Sequence, residues 1–182
     1  MITGFYQAKH GQRCTTTTCM VALRLTGSVL VVDPHGDCAA TLGVAEVPVG
    51  ERREVTENLS LHRTTVAEFP YVDVSGFTHV IVDCGTDDMR VDQRYIVTVP
   101  CYLALRRGVA SDVKFDGIIL QNEPGRALTA TDVARALGGT VIAQVPFDPG
   151  TSRLVDAGLM GMRPPRNIDL DDLLIRIQGA SL

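Results

Sequence analysis

No stretch of the chain is long and apolar enough to span a membrane, and Met1 leads directly into an apolar strand pattern rather than a leader peptide. A cytoplasmic protein with no membrane insertion is expected. Paired cysteines are missing too. Cys14, Cys19, Cys38, Cys84 and Cys101 are odd in number, scattered and free of any CxxC spacing. That excludes a disulfide framework and fits free thiols in a reducing compartment. Internal repeats and low-complexity tracts are absent. Lysine is almost absent: Lys9 and Lys114 stand against 15 arginines. An excess of positive charge is lacking as well, since the net charge is −4, which argues against a large nucleic-acid surface but leaves room for a local basic patch.

What remains is an ordinary globular composition, 45% hydrophobic and 21% charged, over a length sufficient for one substantial core. Ile2–Tyr6 reads as a first strand, followed by the loop Lys9-His10-Gly11-Gln12-Arg13-Cys14 and a helix from Thr15 to Leu25 whose threonine run supplies capping hydroxyls. Unbroken apolar runs at Ser28–Val32, Thr78–Asp83, Tyr95–Val99, Phe115–Leu120 and Thr140–Val145 fit strands buried on both faces of a parallel sheet. Leu59–Arg63 alternates as a short strand, and Val47 to Asn58 is expected to be irregular. Helices are expected at Cys38–Leu42, Cys101–Arg107 (stopped by Gly108), Thr129–Leu137, Ser152–Leu159 and Asp169–Gln178. Strands alternating with helices predict a doubly wound, mostly parallel α/β sheet with helices on both faces, and residues 1–182 read as a single domain.

A loop between a first strand and a first helix is where such folds bind phosphate, because the helix start offers unpaired N–H groups and positive potential. The order of elements and their end motifs resembles the MinD/ParA group of P-loop ATPases over roughly Met1 to Pro164. The group's deviant Walker A pattern is KGGxGKT[TS]. On it Lys9 matches the signature lysine, Gly11 the second glycine, Thr15 the Mg²⁺-binding hydroxyl and Thr16 the threonine near the α-phosphate. Three positions depart: His10 and Arg13 replace glycines, and Cys14 replaces the phosphate-binding lysine. Val32-Asp33-Pro34-His35-Gly36-Asp37 looks like the segment whose aspartate, Asp33, assists the attacking water or the metal. His79–Gly85 looks like Walker B, with Asp83 holding Mg²⁺ through water. Asn122 matches an adenine-reading asparagine, and Pro146 lies in the Val145-Pro146-Phe147-Asp148 segment that frames the base.

The resemblance implies an ATP- or ADP-binding protein with Mg²⁺, acting in partition or intracellular positioning. It would form a homodimer in which Lys9 reaches the other subunit's phosphates, and it would meet an unidentified partner protein. Gly11, Arg13, Cys14, Thr15 and Thr16 would cradle phosphate, and any ATPase activity would be weak or lost. The alternative is a catalytically dead pseudo-ATPase serving as an interaction scaffold. Losing a lysine contact of this kind costs about 1.5–3 kcal/mol, and the helix start is expected to lower the pKa of Cys14. Arg13 is a candidate replacement cation. Arg52-Arg53 and Arg106-Arg107 are candidate DNA contacts, although isolated pairs on an acidic chain usually face solvent. A third reading is a thiol or metal site, since Cys14, Cys38, Cys84, His10 and His35 all adjoin motifs at the sheet's carboxyl edge. The last helix, with Asp169, Asp171 and Asp172, is expected to pack on the sheet or a partner rather than on anionic lipid.

Overall fold

Continuous apolar runs become strands with both faces covered. The computed structural model describes residues 1–165 and 168–179. Eight strands form one sheet: β1 Ile2–Tyr6, β2 Val29–Asp33, β3 Arg52–Glu54, β4 Leu59–Arg63, β5 His79–Gly85, β6 Gln93–Thr98, β7 Gly117–Gln121 and β8 Val141–Val145. Their spatial order is β3-β4-β2-β5-β1-β6-β7-β8. Every pair is parallel except β3 with β4. The expected doubly wound, mostly parallel α/β architecture is the one found.

The pleat divides the core in two. Val29, Val31, Leu61, Ile81 and Tyr95 face one side, with α1 (Cys14–Ala22), α2 (Asp37–Leu42) and α6 (Asp171–Gly179). Leu30, Val32, Val82, Ile96 and Ile118 face the other, with α3 (Tyr102–Ala110) and α4 (Ala130–Leu137). The remaining helix, α5, spans Pro149–Asp156. The crossover from β4 to β5 carries only a 3₁₀ turn at Phe69–Tyr71. There Phe69, Val72, Val74 and Phe77 cover the second face where a helix would otherwise lie.

Several local expectations change. Arg52–Glu54, expected to be irregular, pairs as an antiparallel edge strand on β4. Gly108 does not stop α3; it is buried inside the helix, where a Cβ would come 2.6 Å from Leu137. Glycine there serves close α3–α4 packing. The threonines opening α1 do not cap it. Thr17 and Thr18 bond back to the carbonyls of Arg13 and Cys14, and the N-cap position has no side-chain bond. Thr129 does cap α4, through a reciprocal pair of bonds with Asp132. Cys101 is partly exposed at the start of α3. His62 on β4 is half-buried. The last helix packs on the sheet as expected, burying Leu173 and Ile177 against the β8 side of the core.

β1 lies between β5 and β6, so the chain leaves it toward one edge of the sheet and later crosses it toward the other. The crevice at the carboxyl end of β1 is therefore the topological switch point, where open α/β sheets hold ligands.

Gly43 ends α2 in a left-handed conformation, φ 74, and an added Cβ would lie 1.8 Å from the Gly158 carbonyl oxygen. Gly43→Ala is expected to destabilise the protein by about 3 kcal/mol or more, combining backbone strain with overpacking. Gly50→Ala meets no atom within 4 Å at φ 87 and is expected to cost only about 1–2 kcal/mol. Urea unfolding of the two variants measures the difference.

Candidate functional site

Asp33 and Asp83 end neighbouring strands β2 and β5, and both are buried, at 0% and 1% exposure. Asp33 is held by its own loop through three hydrogen bonds: Oδ1 accepts from the backbone N–H of His35 (3.1 Å) and Gly36 (2.6 Å), and Oδ2 from that of Cys38 (3.0 Å). It fixes the turn that starts α2, a role the motif reading assigned to water instead. Asp83 Oδ2 accepts from the Thr15 hydroxyl at 2.6 Å. This bond joins the first turn of α1 to the end of β5 directly beneath the loop.

The loop is held by two glutamines that no motif marks. The backbone N–H of Gln12 donates to Gln7 Oε1 at 3.1 Å, and Gln12 Oε1 accepts from the backbone N–H of Val99 at 2.9 Å. Gln12 is 2% exposed. Their only sequence signal is polarity beside a turn, which surface residues share. Gly11 (φ 80) and Arg13 (φ 63) both take the left-handed conformation. Arg13 is the one non-glycine to do so among the described residues, at a cost of about 1–2 kcal/mol.

The two candidate cations, Arg13 and Lys9, do not converge on the loop's centre. Arg13 places its guanidinium over the Phe147 ring, 5.1 Å from the centroid, a contact worth about 0.5–1 kcal/mol at an exposed site. Lys9 Nζ folds onto the carbonyl of its neighbour His10 at 3.1 Å. Cys14, at the position of the pattern's lysine, is 1% exposed and lies near Asp83. Burial, then the nearby Asp83 charge, pushes its thiol well above the usual value. The expected lowering by the helix start is thus overturned, because desolvation of the thiolate outweighs the dipole. Burial likewise raises Asp83, opposed by its bonds from Thr15 and Cys14.

More thiols surround this point. Cys38 is in hydrogen-bonding contact with Cys19, which with burial raises its pKa, and its Sγ lies 3.9 Å from Asp83 Oδ2. Burial pushes Cys84 up to about 12. His35 leaves the cluster: a ring nitrogen bonds the Cys84 carbonyl at 3.1 Å and lies 3.4 Å from Asp87. His10 is exposed at the loop tip.

A cavity of about 150 Å³ opens beside the loop, lined by Arg13, Thr16, Gln121, Pro146 and Asp148 among others. Gln121 donates to Thr17 Oγ1 at 2.8 Å. Asn122, expected to read the base, instead places its amide 3.4 Å from Gln144 Oε1, and its neighbour Gln121 lines the cavity. Asp148 caps α5, accepting from the N–H groups of Gly150 and Thr151 and from the Thr151 hydroxyl. The site thus brings together Thr15 and Asp83, with Asp33 beside them. Thr16, Arg13 and Pro146 border the cavity, while Lys9 and Asn122 are turned to local partners.

The residues fit a hard cation in one respect: a hydroxyl and a carboxylate oxygen, Thr15 Oγ1 and Asp83 Oδ2, already meet at 2.6 Å. They fit a phosphate chain less well, because Arg13 and Lys9 are turned to Phe147 and His10 and Cys14 carries no positive charge.

A mostly parallel sheet with its first-strand loop at the switch point, and a threonine–aspartate pair beneath that loop, has the architecture of the P-loop fold. Among known structures, the fold is that of the MinD/ParA P-loop ATPases. A ParA family ATPase from Chlorobium tepidum TLS superposes with a TM-score of 0.73 at 18% identity, covering 99% of this chain and 98% of that one. MinD in the MinC:MinD cell division protein complex of Aquifex aeolicus gives 0.69 at 18%, covering 88% and 86%. The septum site-determining protein MinD of Pyrococcus horikoshii OT3, complexed with Mg-ADP, gives 0.67 at 18%, covering 88% and 85%. No protein-family model matches the chain, and no curated protein matches it in sequence.

Two outcomes follow from this geometry. Gln12→Ala leaves the buried Val99 N–H without its acceptor and is expected to cost about 1–3 kcal/mol in chemical denaturation. The bonds from Thr151 and Gly150 hold the Asp148 carboxyl below its ordinary value. Its stabilisation is therefore present above the unfolded pKa, about 3.9, and is lost as pH falls through the lower folded value. Asp148→Ala is expected to be less stable than the parent at pH 7, with the gap closing in acid; thermal unfolding against pH reads it.

Proposed function

We propose that the protein binds adenine nucleotide with Mg²⁺ and works as a ParA/MinD-like positioning or partition factor through nucleotide-linked dimerisation, with hydrolysis weak or lost. The observation that carries this reading is the Thr15–Asp83 contact of 2.6 Å beneath the first-strand loop, with the cavity bordered by Thr16 and Pro146 beside it. The Mg-ADP held by the Pyrococcus horikoshii relative supports the ligand class. Thr15 and Asp83 are the residues to hold Mg²⁺, which would supply charge neutralisation at the phosphates. Gly11 and Thr16 lie where backbone and hydroxyl meet phosphate. Lys9, at the rim, is the residue to reach a second copy of the chain, and Asp33 keeps the neighbouring turn in shape. The MinC:MinD complex of Aquifex aeolicus supports a partner protein as the output. DNA is the weaker partner: Arg52 is engaged by the Asp73 carbonyl and lies over Phe77, leaving the exposed Arg53, Arg106 and Arg107.

A second reading, a pseudo-ATPase scaffold, is favoured by one specific observation. The residue at the lysine position, Cys14, is buried, with its thiol pKa raised, and contributes no charge to a phosphate.

Calorimetric titration with Mg-ATP separates the two. The natural chain is expected to bind weakly, and Cys14→Lys to bind about ten- to a hundredfold tighter, the worth of one charge-assisted contact. Lys9→Ala is expected to bind nucleotide but not to dimerise with it in sedimentation. Absence of heat at millimolar nucleotide in both the parent and Cys14→Lys sinks the nucleotide reading and leaves the scaffold.

A further inference from the structure

The exchange of lysine for Cys14 does more than remove a phosphate contact. It leaves Asp33 and Asp83 buried side by side with no ion pair to either among the described residues. Lys9 and Arg13, the basic residues of the loop, are turned to His10 and Phe147. Charge buried in this way needs a counter-charge or a proton. At the same point the chain gathers soft donors. One oxygen each of Asp33 and Asp83 and the Cys38 Sγ all lie within 4.8 Å of one another, and Cys14, in the first turn of α1, lies near Asp83 outside that group.

We propose that this cluster is a site for one soft divalent cation of the zinc type, held by Cys14, Cys38, Asp83 and Asp33. The proposal goes beyond the nucleotide reading and does not depend on it. Three of the four donors already stand close together. Bonds of about 2.3 Å to sulfur and 2.0–2.2 Å to oxygen set sulfur–oxygen separations near about 3.5 Å, and Cys38 Sγ already stands 3.9 Å from Asp83 Oδ2. Asp33 has committed three of its acceptor positions to backbone N–H groups. One position on Oδ2 remains, since a carboxylate has about four. Those N–H groups also orient the carboxylate, as outer partners do for metal ligands. Two thiolates and two carboxylates give a divalent ion the same charge balance as a four-thiolate zinc site. Mg²⁺ takes oxygen ligands and would leave both thiols unused, so the donor set selects a softer ion. Binding displaces one proton from each thiol to solvent. Because Cys14, Cys38, Asp33 and Asp83 are each no more than 1% exposed, the ion enters as the chain folds.

The test uses the full chain, without a metal-affinity tag, produced in minimal medium with cobalt(II) in place of zinc and with no nucleotide added. The expected result is about one cobalt per chain, with a thiolate-to-cobalt charge-transfer band in the near ultraviolet. The band is lost in Cys38→Ser, weakened in Cys14→Ser and unchanged in Cys101→Ser, whose thiol lies outside the cluster. X-ray absorption of the parent protein, which needs no variant to fold, is expected to find sulfur in the cobalt coordination shell. A folded parent with no charge-transfer band, a shell of oxygen and nitrogen alone, or a band that survives in the Cys14→Ser/Cys38→Ser double variant overturns the proposal. Failure here leaves the Mg-ATP titration untouched, and failure there leaves the cobalt spectrum untouched.

Discussion

Two carboxylates meet at the foot of the β1–α1 loop, out of water, and the local structure follows from the cost of holding them there. Asp33 meets that cost with three backbone N–H groups, which requires the 34–38 turn to close tightly over it. Asp83 meets it with the Thr15 hydroxyl and a neighbouring thiol, which draws the first turn of α1 down onto the end of β5. The loop above must then span from β1 to a helix start already fixed. It does so with two left-handed residues and the Gln7–Gln12–Val99 relay. A lysine at position 14 would have placed a cation beside the pair. A thiol provides none, and burial keeps it protonated.

The cationic residues of the loop show where a missing charge does not get replaced. Arg13 has the charge and the reach that phosphate recognition needs, yet its guanidinium lies over the Phe147 ring at the mouth of the cavity. Its contact and its backbone strain are similar in size, on the order of 1 kcal/mol each. Arg13 is therefore held where it is by a small margin, and the mouth of the cavity is shaped by a side chain that little energy would move.

The sheet was legible in the sequence because parallel strands buried on both faces leave no polar position, as in Val29–Val32 and Ile118–Leu120, where every residue is buried. Helix existence was legible as well, but not helix ends. Gly108 reads as a stop, and only its proximity to Leu137 from a distant helix reveals a packing role. Asp83 and Thr15 were legible as chemistry because their spacing followed a pattern. Gln12 was not, since its partner Val99 lies 87 residues away and no local signal encodes the bond. The direction of the Cys14 shift was misread for the same reason: a helix start is visible in sequence, whereas the burial that overrides it comes from strands and a second helix brought together only by folding.

The crossover between β4 and β5 has a consequence of a different kind. Phe69, Val72, Val74 and Phe77 close the second face of the sheet over β2 and β5 without the ladder of hydrogen bonds that a helix would add. Segments of this sort open locally at a lower free energy than the helices around them, so their amides exchange with solvent first and a protease finds them first. Such an opening would wet Val32 and Val82, the residues next to the two buried aspartates on their strands. Water would then gain a transient route to the most charged point of the core from behind the sheet, on the side away from the loop.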